Sequence, residues 1–435
     1  MNKNARKTAY EILFEVKYEK AYSNILLNRV FSQSSYSRQD RGFVTEIVYG
    51  TLSRLYYLDF VIRLHSEMKM SKISKKILTL LEMGVYQLLF MDGVADFAAV
   101  DETVRLTKAL DFRSRGFVNA VMRAIAAEKE KREPRWMDLA KIRDRKKRLS
   151  LCYSVSEYLA GRLLKIYGED FAERLLASFY EKPKIFLRSN PLKTTPEKLR
   201  EKLEAEGILL EEVPEMEGVF AAEGLRGIGE MESFRKGEFS IQDISSMQAV
   251  DALDPAAGEK ILDLCSAPGG KSFYIAEKMR DSGRIDAMDV SENKLRLLAG
   301  RAAELGLGSI RTEVSDASVF RPEMEENYDR VLVDAPCSGF GVIRRKPEIR
   351  YKNYEDVAEL PEIQRKILRN ASRYLRRGGR LVYSTCTLEK KENSDRISDF
   401  LAEHPDFRLI GDPRELYPHL DGSDGFFIAV FQREK

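Results

Sequence analysis

A chain of 435 residues has room for two to four domains, each large enough to bury its own core, and its 43% hydrophobic and 32% charged residues are ordinary globular proportions. No stretch approaches the roughly 18 apolar residues of a membrane span, and four cysteines without a CxxC pair (Cys152, Cys265, Cys337, Cys386) argue against a disulfide scaffold or a zinc site. The opening MNKNARKTAYEI has no apolar signal core, so a cytoplasmic protein without membrane attachment is expected. The net charge of +3 hides an asymmetry. Residues 1–150 carry 29 Lys and Arg against 18 Asp and Glu, and the remainder carries 43 against 51. Basic charge gathered in one region points to a polyanion, and without a lipid anchor that polyanion is nucleic acid; solvated helix faces are the plain alternative.

Residues 3 to about 130 read as helices throughout. Ile77, Leu80, Leu81, Val85 and Leu88 recur at helical spacing, as do Phe117, Val118, Val121, Met122 and Ile125. A helical bundle is expected, with these residues as core. RQDRGFVTEIVYGTLSRLYYLD (38–59), LLEMGVYQLLFMD (80–92) and RGFVNAVMRAI (115–125) resemble the NusB-type RNA-binding helical domain. That resemblance implies contact with RNA or protein and, by itself, no catalysis. The basic run 128–150, which holds the only tryptophan, Trp136, reads as a solvated linker; the alternative is an RNA-facing helix whose Arg145, Lys146, Lys147 and Arg148 neutralise phosphates.

Residues 151–240 mix periods. KIFLRSN (184–190) alternates as a strand, PEKLREKLEAEG (196–207) is helical, and GILLEEV and GEFSIQD bracket further short strands, which suits a small α+β module. FLRSNP and FSIQDISSMQAV resemble the RNA-recognition module that precedes the catalytic domain of RNA cytosine-5 methyltransferases, with Arg188 and Gln242 as candidate RNA contacts.

From 258 onward apolar strands alternate with helices: ILDL (261–264), RIDAMD (284–289), IRTEV (310–314), RVLVD (330–334), RLVYS (380–384) and a closing FFIAVF (426–431). This is the pattern of a doubly wound, mostly parallel sheet, which binds ligands at the carboxyl ends of its strands. The first strand runs into CSAPGGKS. There Gly269 and Gly270 allow close backbone approach, and the following helix turns free amide donors toward a ligand. The turn lacks GxGxxG, and a phosphate loop GxxxxGK[ST] would need glycine where Cys265 stands. A nucleoside cofactor other than NAD or ATP is the better reading. Asp289, 18 residues after Lys271, is placed to accept from both ribose hydroxyls, Asp316 from an adenine amino group, and Asp334 closes the fourth strand. DAPCSGFG (334–341) and STCT (384–387) follow successive strands, so Cys337 and Cys386 are expected at one pocket rim, whereas Cys152 and Cys265 read as packing.

DLCSAPGGKS, DAPCSGFGVIRRKPEIR and YSTCT, in this order, resemble the RNA (cytosine-5)-methyltransferase family, in particular its bacterial Sun-type (RsmB-like) branch, which fuses a NusB-like domain to the catalytic core. Gly339-Phe340 departs from the smaller pair of many relatives, which puts the local pocket shape in question. The resemblance implies a multidomain chain: an all-α NusB-like bundle (1–130), a basic linker with a small α+β RNA-recognition module (131–240), and an α/β doubly wound Rossmann-like methyltransferase domain (241–435). It implies S-adenosyl-L-methionine as cofactor, held by Cys265, Ser266, Ala267, Pro268, Gly269, Gly270, Lys271, Asp289, Asp316 and Asp334. It also implies Cys386 as nucleophile, Cys337 as the second cysteine that assists product release, Asp334 between cofactor and base, and no metal. The expected partner is 16S ribosomal RNA, unassembled or partly assembled, bound by a monomer, with Arg344, Arg345 and Lys346 on phosphates flanking the target. A nearby cation, Lys271 or Arg344, is expected to favour a thiolate. Two other classes compete: a nucleic-acid-stimulated ATPase using GGKS, and a non-enzymatic RNA-binding, antitermination-like factor that leaves both loop cysteines without a purpose.

Overall fold

The computed structural model describes residues 4–19, 21–33 and 36–434, which form two compact units. The first comprises residues 1–180 together with Ile343–Glu355; the second comprises Glu181–Val342 and Asp356–Lys435.

The first unit is helical. Its central helix, Lys75–Phe90, starts at Ser74, whose hydroxyl accepts from the Ile77 amide, and is buried along most of its length. Ile77, Leu81, Val85 and Leu88 lie inside, packed with Val118, Val121, Met122 and Ile125 of Arg115–Lys129, and Leu80 is buried on the other side with Leu13, Val44 and Ile47. The expected core is therefore the observed one.

The basic run is solvated along most of its length but anchored at Trp136. Trp136 is only 2% exposed and sits beside His65, ring centroids 5.3 Å apart. Arg135 donates from its backbone and guanidinium to the buried Glu128 carboxylate, which holds that carboxyl at about 2. Of the residues read as phosphate ligands, Arg145 and Arg148 pair with Glu169 and Lys146 with Glu157 at the surface, and Arg145, Lys146 and Lys147 stay exposed. Hydrophobic anchoring by one tryptophan and acidic partners on later helices, invisible in a local charge count, fix the run against the helices while leaving most of its charges in water.

Ile343–Glu355 also belongs to this unit. The buried Arg350 donates to the carbonyls of Tyr153 (2.8 Å) and Phe179 (2.6 Å), and the Tyr351 hydroxyl donates to Leu52 O (2.5 Å). Arg344, Arg345 and Lys346, just after the loop that carries Cys337, belong to this unit, with Lys346 above the Tyr22 ring at 5.4 Å.

The second unit holds two sheets. Strands β1 (Ile185–Ser189), β2 (Leu209–Glu212), β3 (Val219–Glu223) and β4 (Phe239–Ile241) form an antiparallel sheet in the order β2-β3-β1-β4. Strands β5 (Lys260–Asp263), β6 (Arg284–Asp289), β7 (Ile310–Val314), β8 (Tyr328–Asp334), β9 (Leu375–Thr385), β10 (Phe407–Leu409) and β12 (Phe426–Arg433) form the larger one, in the order β10-β12-β9-β8-β5-β6-β7; β11 (Arg414–Leu416) pairs with β12. The five strands from β9 to β7 run parallel, and β12 returns antiparallel against β9. The doubly wound Rossmann-like fold read from the alternation is the fold observed.

The small sheet shares a core with the large one. Phe186 and Val219 pack in one cluster with Met247, Ile275 and Leu298. Arg188, read as an RNA contact, is instead 2% exposed, its Nε 2.8 Å from Glu277 and its guanidinium 4.0 Å over the Tyr274 ring. Gln242, the other such candidate, accepts from Arg188 through its side-chain oxygen. These side chains tie the small module to the helix Gly270–Lys278. An arginine at a strand position facing a second layer is recruited as a buried partner, which one strand's sequence does not disclose.

Asp263, at the carboxyl end of β5, is fully buried; one oxygen accepts from Ser272 Oγ (2.7 Å) and the other has no partner. Burial raises its carboxyl to about 7, against the opposing Ser272 bond and with further help from Asp334.

Two outcomes are expected. Glu277→Ala, which leaves the Arg188 charge buried and unpaired, lowers the unfolding free energy by about 3–5 kcal/mol in urea denaturation. Because Asp263 binds its proton more tightly folded than unfolded, its contribution to stability is full below its ordinary value of 3.8 and is lost as pH rises to about 7. Stability curves of Asp263→Asn and the parent, measured from pH 4 to pH 8, therefore diverge in favour of the variant as pH rises; parallel curves would refute the assignment.

Candidate active site

The carboxyl edge of the large sheet collects the residues singled out in the sequence. Taken along the order β9-β8-β5-β6-β7, this edge presents Cys386, then Asp334 and Cys337, then the 265–271 turn, then Asp289, then Asp316.

The turn is shaped by close packing. Ser266 donates from its amide (2.9 Å) and hydroxyl (3.1 Å) to Met288 O, which anchors the turn to the end of β6. Gly269 has φ +109°, and a Cβ there would stand 2.7 Å from both Leu298 and Phe273, so only glycine fits. Gly270 opens the helix Gly270–Lys278, and the nearest atom to a Cβ there would be the Gln242 amide at 3.7 Å. Burial raises the Cys265 thiol well above its usual range, and its charged neighbours Asp263, Asp334 and Asp289 add to this, so it is inert packing at neutral pH.

Asp289 is part-exposed. One oxygen accepts from the Ala267 amide (3.2 Å) and the other from the Ser291 amide (2.9 Å), leaving lone pairs on both. Asp316 is exposed, and Oδ1 closes a turn by accepting from the Ser318 amide (2.9 Å) and hydroxyl (2.7 Å). A glycine turn leading into a helix, followed by carboxylates on two adjacent strand ends, is a donor-seeking row that fits an elongated nucleoside with hydroxyl and amino donors.

Lys271 points the other way. Its ammonium donates to Asp334 Oδ2 (2.7 Å) and Ser246 Oγ (3.2 Å), and Ser384 Oγ donates to Asp334 Oδ1 (2.9 Å). Burial works against the Lys271 charge, but Asp334, Asp263 and Cys386 outweigh it, and the ammonium is held above its ordinary range. A lysine committed in this way is not free to cradle nucleotide phosphates, which removes the phosphate-loop reading of GGKS.

The sulfurs of Cys337 and Cys386, 49 residues apart in sequence, are 3.3 Å apart. Both side chains are part-exposed. Register brings them together: Asp334 on β8 faces Ser384 on β9, and the two cysteines follow three and two residues later. The Gly341 amide donates to Cys386 O (2.9 Å) and the Gly425 amide to Gly341 O (2.9 Å), pinning the two loops against the start of β12. The Cys337 thiol is raised by its hydrogen bond to Cys386, by burial, and by the charges of Cys386, Glu392 and Asp334. Phe340 is buried at 1% exposure.

Sequence reasoning missed Glu392 and Gln364. The Glu392 carboxylate is 1% exposed and accepts from the Ser338 amide and the Gln364 amide, each at 2.9 Å; Gln364 also donates to Pro336 O (2.9 Å). A glutamate in the charged run LEKKEN carries no local sign of burial. Among the described residues no group of three His, Cys, Asp or Glu is placed to hold a metal ion, and no helix is long and apolar enough to cross a membrane.

Comparison with known proteins identifies the parts. Residues 250–432 match the family described as 16S rRNA methyltransferase RsmB/F, residues 3–127 the NusB family, and residues 155–223 the RsmF/B-like ferredoxin-like domain. The probable ribosomal RNA small subunit methyltransferase B of Bacillus subtilis (strain 168) is 38% identical, with 99% of each chain covered. Among solved structures, that of PH0851 superposes with TM-score 0.84 at 25% identity over 100% of both chains, and a methyltransferase homolog protein from Pyrococcus horikoshii with TM-score 0.59 at 29% identity over 66% of this chain and 97% of that one. With its helical first part, its small α+β module and its Rossmann-like sheet in this order, the chain belongs to the RsmB/F family of 16S rRNA methyltransferases.

Proposed function

We propose that the chain methylates C5 of a cytosine in 16S ribosomal RNA through a covalent bond between Cys386 and C6. The observation that carries this reading is the pair of sulfurs 3.3 Å apart beside the Asp334–Lys271 ion pair. The methyl donor of this methyltransferase is S-adenosyl-L-methionine, which supplies an electrophilic methyl carbon on a sulfonium. Cys265 to Lys271 take its methionine end and nearby ribose, Asp289 the ribose hydroxyls and Asp316 the adenine, in the order in which the sheet presents them.

Cytosine C5 is too weak a nucleophile to take a methyl group unaided. Addition of the Cys386 thiolate to C6 breaks the C5–C6 double bond and makes C5 enamine-like and nucleophilic. The negative charge that develops on the ring at N3 is met by the proton shared in the Asp334–Lys271 pair, which Asp334 hands to N3. After methylation, Cys337, its own proton given up to solvent, takes the C5 proton as thiolate, the C5–C6 double bond re-forms, N3 returns its proton to the Asp334–Lys271 pair, and Cys386 leaves as thiolate. Lys271 favours that anion because its ammonium interacts with the Cys386 charge. The target base must be unstacked to enter, which favours a loop or an opened segment of RNA.

The relatives' names place their substrate in the small ribosomal subunit, and the basic excess of residues 1–150 supports RNA contact by the NusB-type part. Three domains with the boundaries 130 and 240, action as a monomer, a cytoplasmic location, and RNA that is unassembled or partly assembled complete the reading.

Cys386→Ala abolishes methyl transfer, and Cys337→Ala accumulates a covalent RNA adduct, read as a slow-migrating band of labelled RNA on a denaturing gel with unlabelled donor. An adduct trapped by Cys386→Ala would reverse the two roles, and wild-type transfer by both variants would defeat the reading. Mapping 5-methylcytosine in total RNA from cells with and without the protein identifies the target.

A further inference from the structure

The two sulfurs are chemically identical and close enough to share one proton, so something in the surroundings must decide which of them attacks. The charges around them are unequal. On the Cys386 side stands the Lys271 ammonium, on the helix after β5. On the Cys337 side stands Glu392, in the turn after β9, bonded to the residue after Cys337; Asp334, at the end of β8, also bears on the Cys337 thiol but is paired with Lys271 at 2.7 Å and so does not by itself tell the sulfurs apart. The Tyr383 hydroxyl, from β9, donates to Glu392 O (2.7 Å) and is itself kept neutral by burial.

Glu392 is more than a distant charge. Its Oε2 accepts from the Ser338 amide on one side of Cys337, and through Gln364 it reaches Pro336 O on the other, so one carboxylate clasps both flanks of the cysteine. The Ser338 hydroxyl shares a further hydrogen bond with Thr387, directly after Cys386. Glu392 Oε1 is buried with no hydrogen-bond partner. Two N–H donors converging on Oε2 favour the charged form, although burial raises the carboxyl above its ordinary range. A buried carboxylate whose second oxygen is unpaired is costly to keep, and a purely structural clasp is made as well by a neutral amide.

We propose that Glu392 is a positioning residue that selects the nucleophile: by clasping the Cys337 loop and setting a negative charge behind it, it keeps the shared proton on Cys337 and leaves Cys386 as the thiolate. The proposal rests on the reading of Cys386 as the attacking sulfur. Cys337 acts as base only later, once Cys386 is bonded to the substrate and the Cys337 proton has passed to solvent.

The test needs neither RNA nor methyl donor. Full-length protein is treated with limiting iodoacetamide from pH 6 to pH 9, and the alkylation rate at each cysteine is read by peptide mass spectrometry. Cys386 is expected to react about tenfold faster than Cys337 at neutral pH, the ratio that one pH unit of proton preference gives. In Glu392→Gln, which keeps an acceptor for the Ser338 amide but loses the charge, the ratio falls toward one and the pair ionises at lower pH. Gln364→Ala, which loosens the clasp and keeps the carboxylate, leaves the pH midpoint in place, and Glu392→Asp restores the preference in part. Equal or faster labelling of Cys337 in the parent protein overturns the proposal, even if Glu392→Gln does not fold. An unchanged ratio and midpoint in folded Glu392→Gln overturns it too. Either failure leaves the adduct experiment on Cys386 and Cys337 to decide the methyl-transfer reading separately.

Discussion

The parallel pairing of β8 with β9, in the register that sets Asp334 opposite Ser384, is the constraint on which the site depends. A shift of one residue would turn every side chain of one strand to the other face, carry Asp334 away from Lys271 and Ser384, and separate the loops that begin immediately beyond. Because Cys337 and Cys386 follow that pair by three and two residues, the register delivers both sulfurs to the same height above the sheet. The antiparallel return of β12 secures the arrangement, since its start at Phe426 and the preceding Gly425 lie against the same loops.

Electrostatics then distinguishes two halves of one edge. Over β5 to β7 the edge offers glycine-turn amides and carboxylates with unused lone pairs, suited to a neutral nucleoside with hydroxyl and amino donors. Over β8 and β9 it offers a compact group of opposed charges (Lys271 between Asp334 and Cys386, with Glu392 behind Cys337), suited to moving protons on a flat base. Lys271 stands at the junction: its backbone belongs to the nucleoside half and its ammonium to the reactive half. This explains why a sequence that resembles a phosphate loop at GGKS does not act as one.

Around this edge the second unit is built as one body. The small sheet shares a core with the large one, and the Arg188–Glu277 pair crosses between them within an otherwise dry layer. Such a pair contributes little net stability yet is expensive to break, so it specifies how the layers meet more than it strengthens them. The helical unit shows the same economy: Glu128 gathers Arg135 and His65 around the buried Trp136, turning a charged run into a packed corner.

Much of this was legible in the order of residues. Period-3.6 apolar stripes located the helices around Ile77–Leu88 and Val118–Ile125, and alternating strands and helices after residue 258 determined a parallel sheet with ligand-binding residues at its carboxyl edge, because both follow from local geometry and the need to bury one face. The candidate thiols, the glycine turn and the aspartates were visible for the same reason: each lies at a strand end, where the chain alone shows the change from apolar to polar. Tertiary structure decided what depends on distant partners. Arg188 looks like an RNA ligand until Glu277 is brought beside it; Ile343–Glu355 follows the cysteine loop in sequence but packs with the helices; and Glu392, an ordinary charge in LEKKEN, becomes a buried clasp only when Ser338 and Gln364 fold onto it. Charge and burial at these positions are properties of a neighbourhood assembled across scores to hundreds of residues of chain, and no local pattern encodes them.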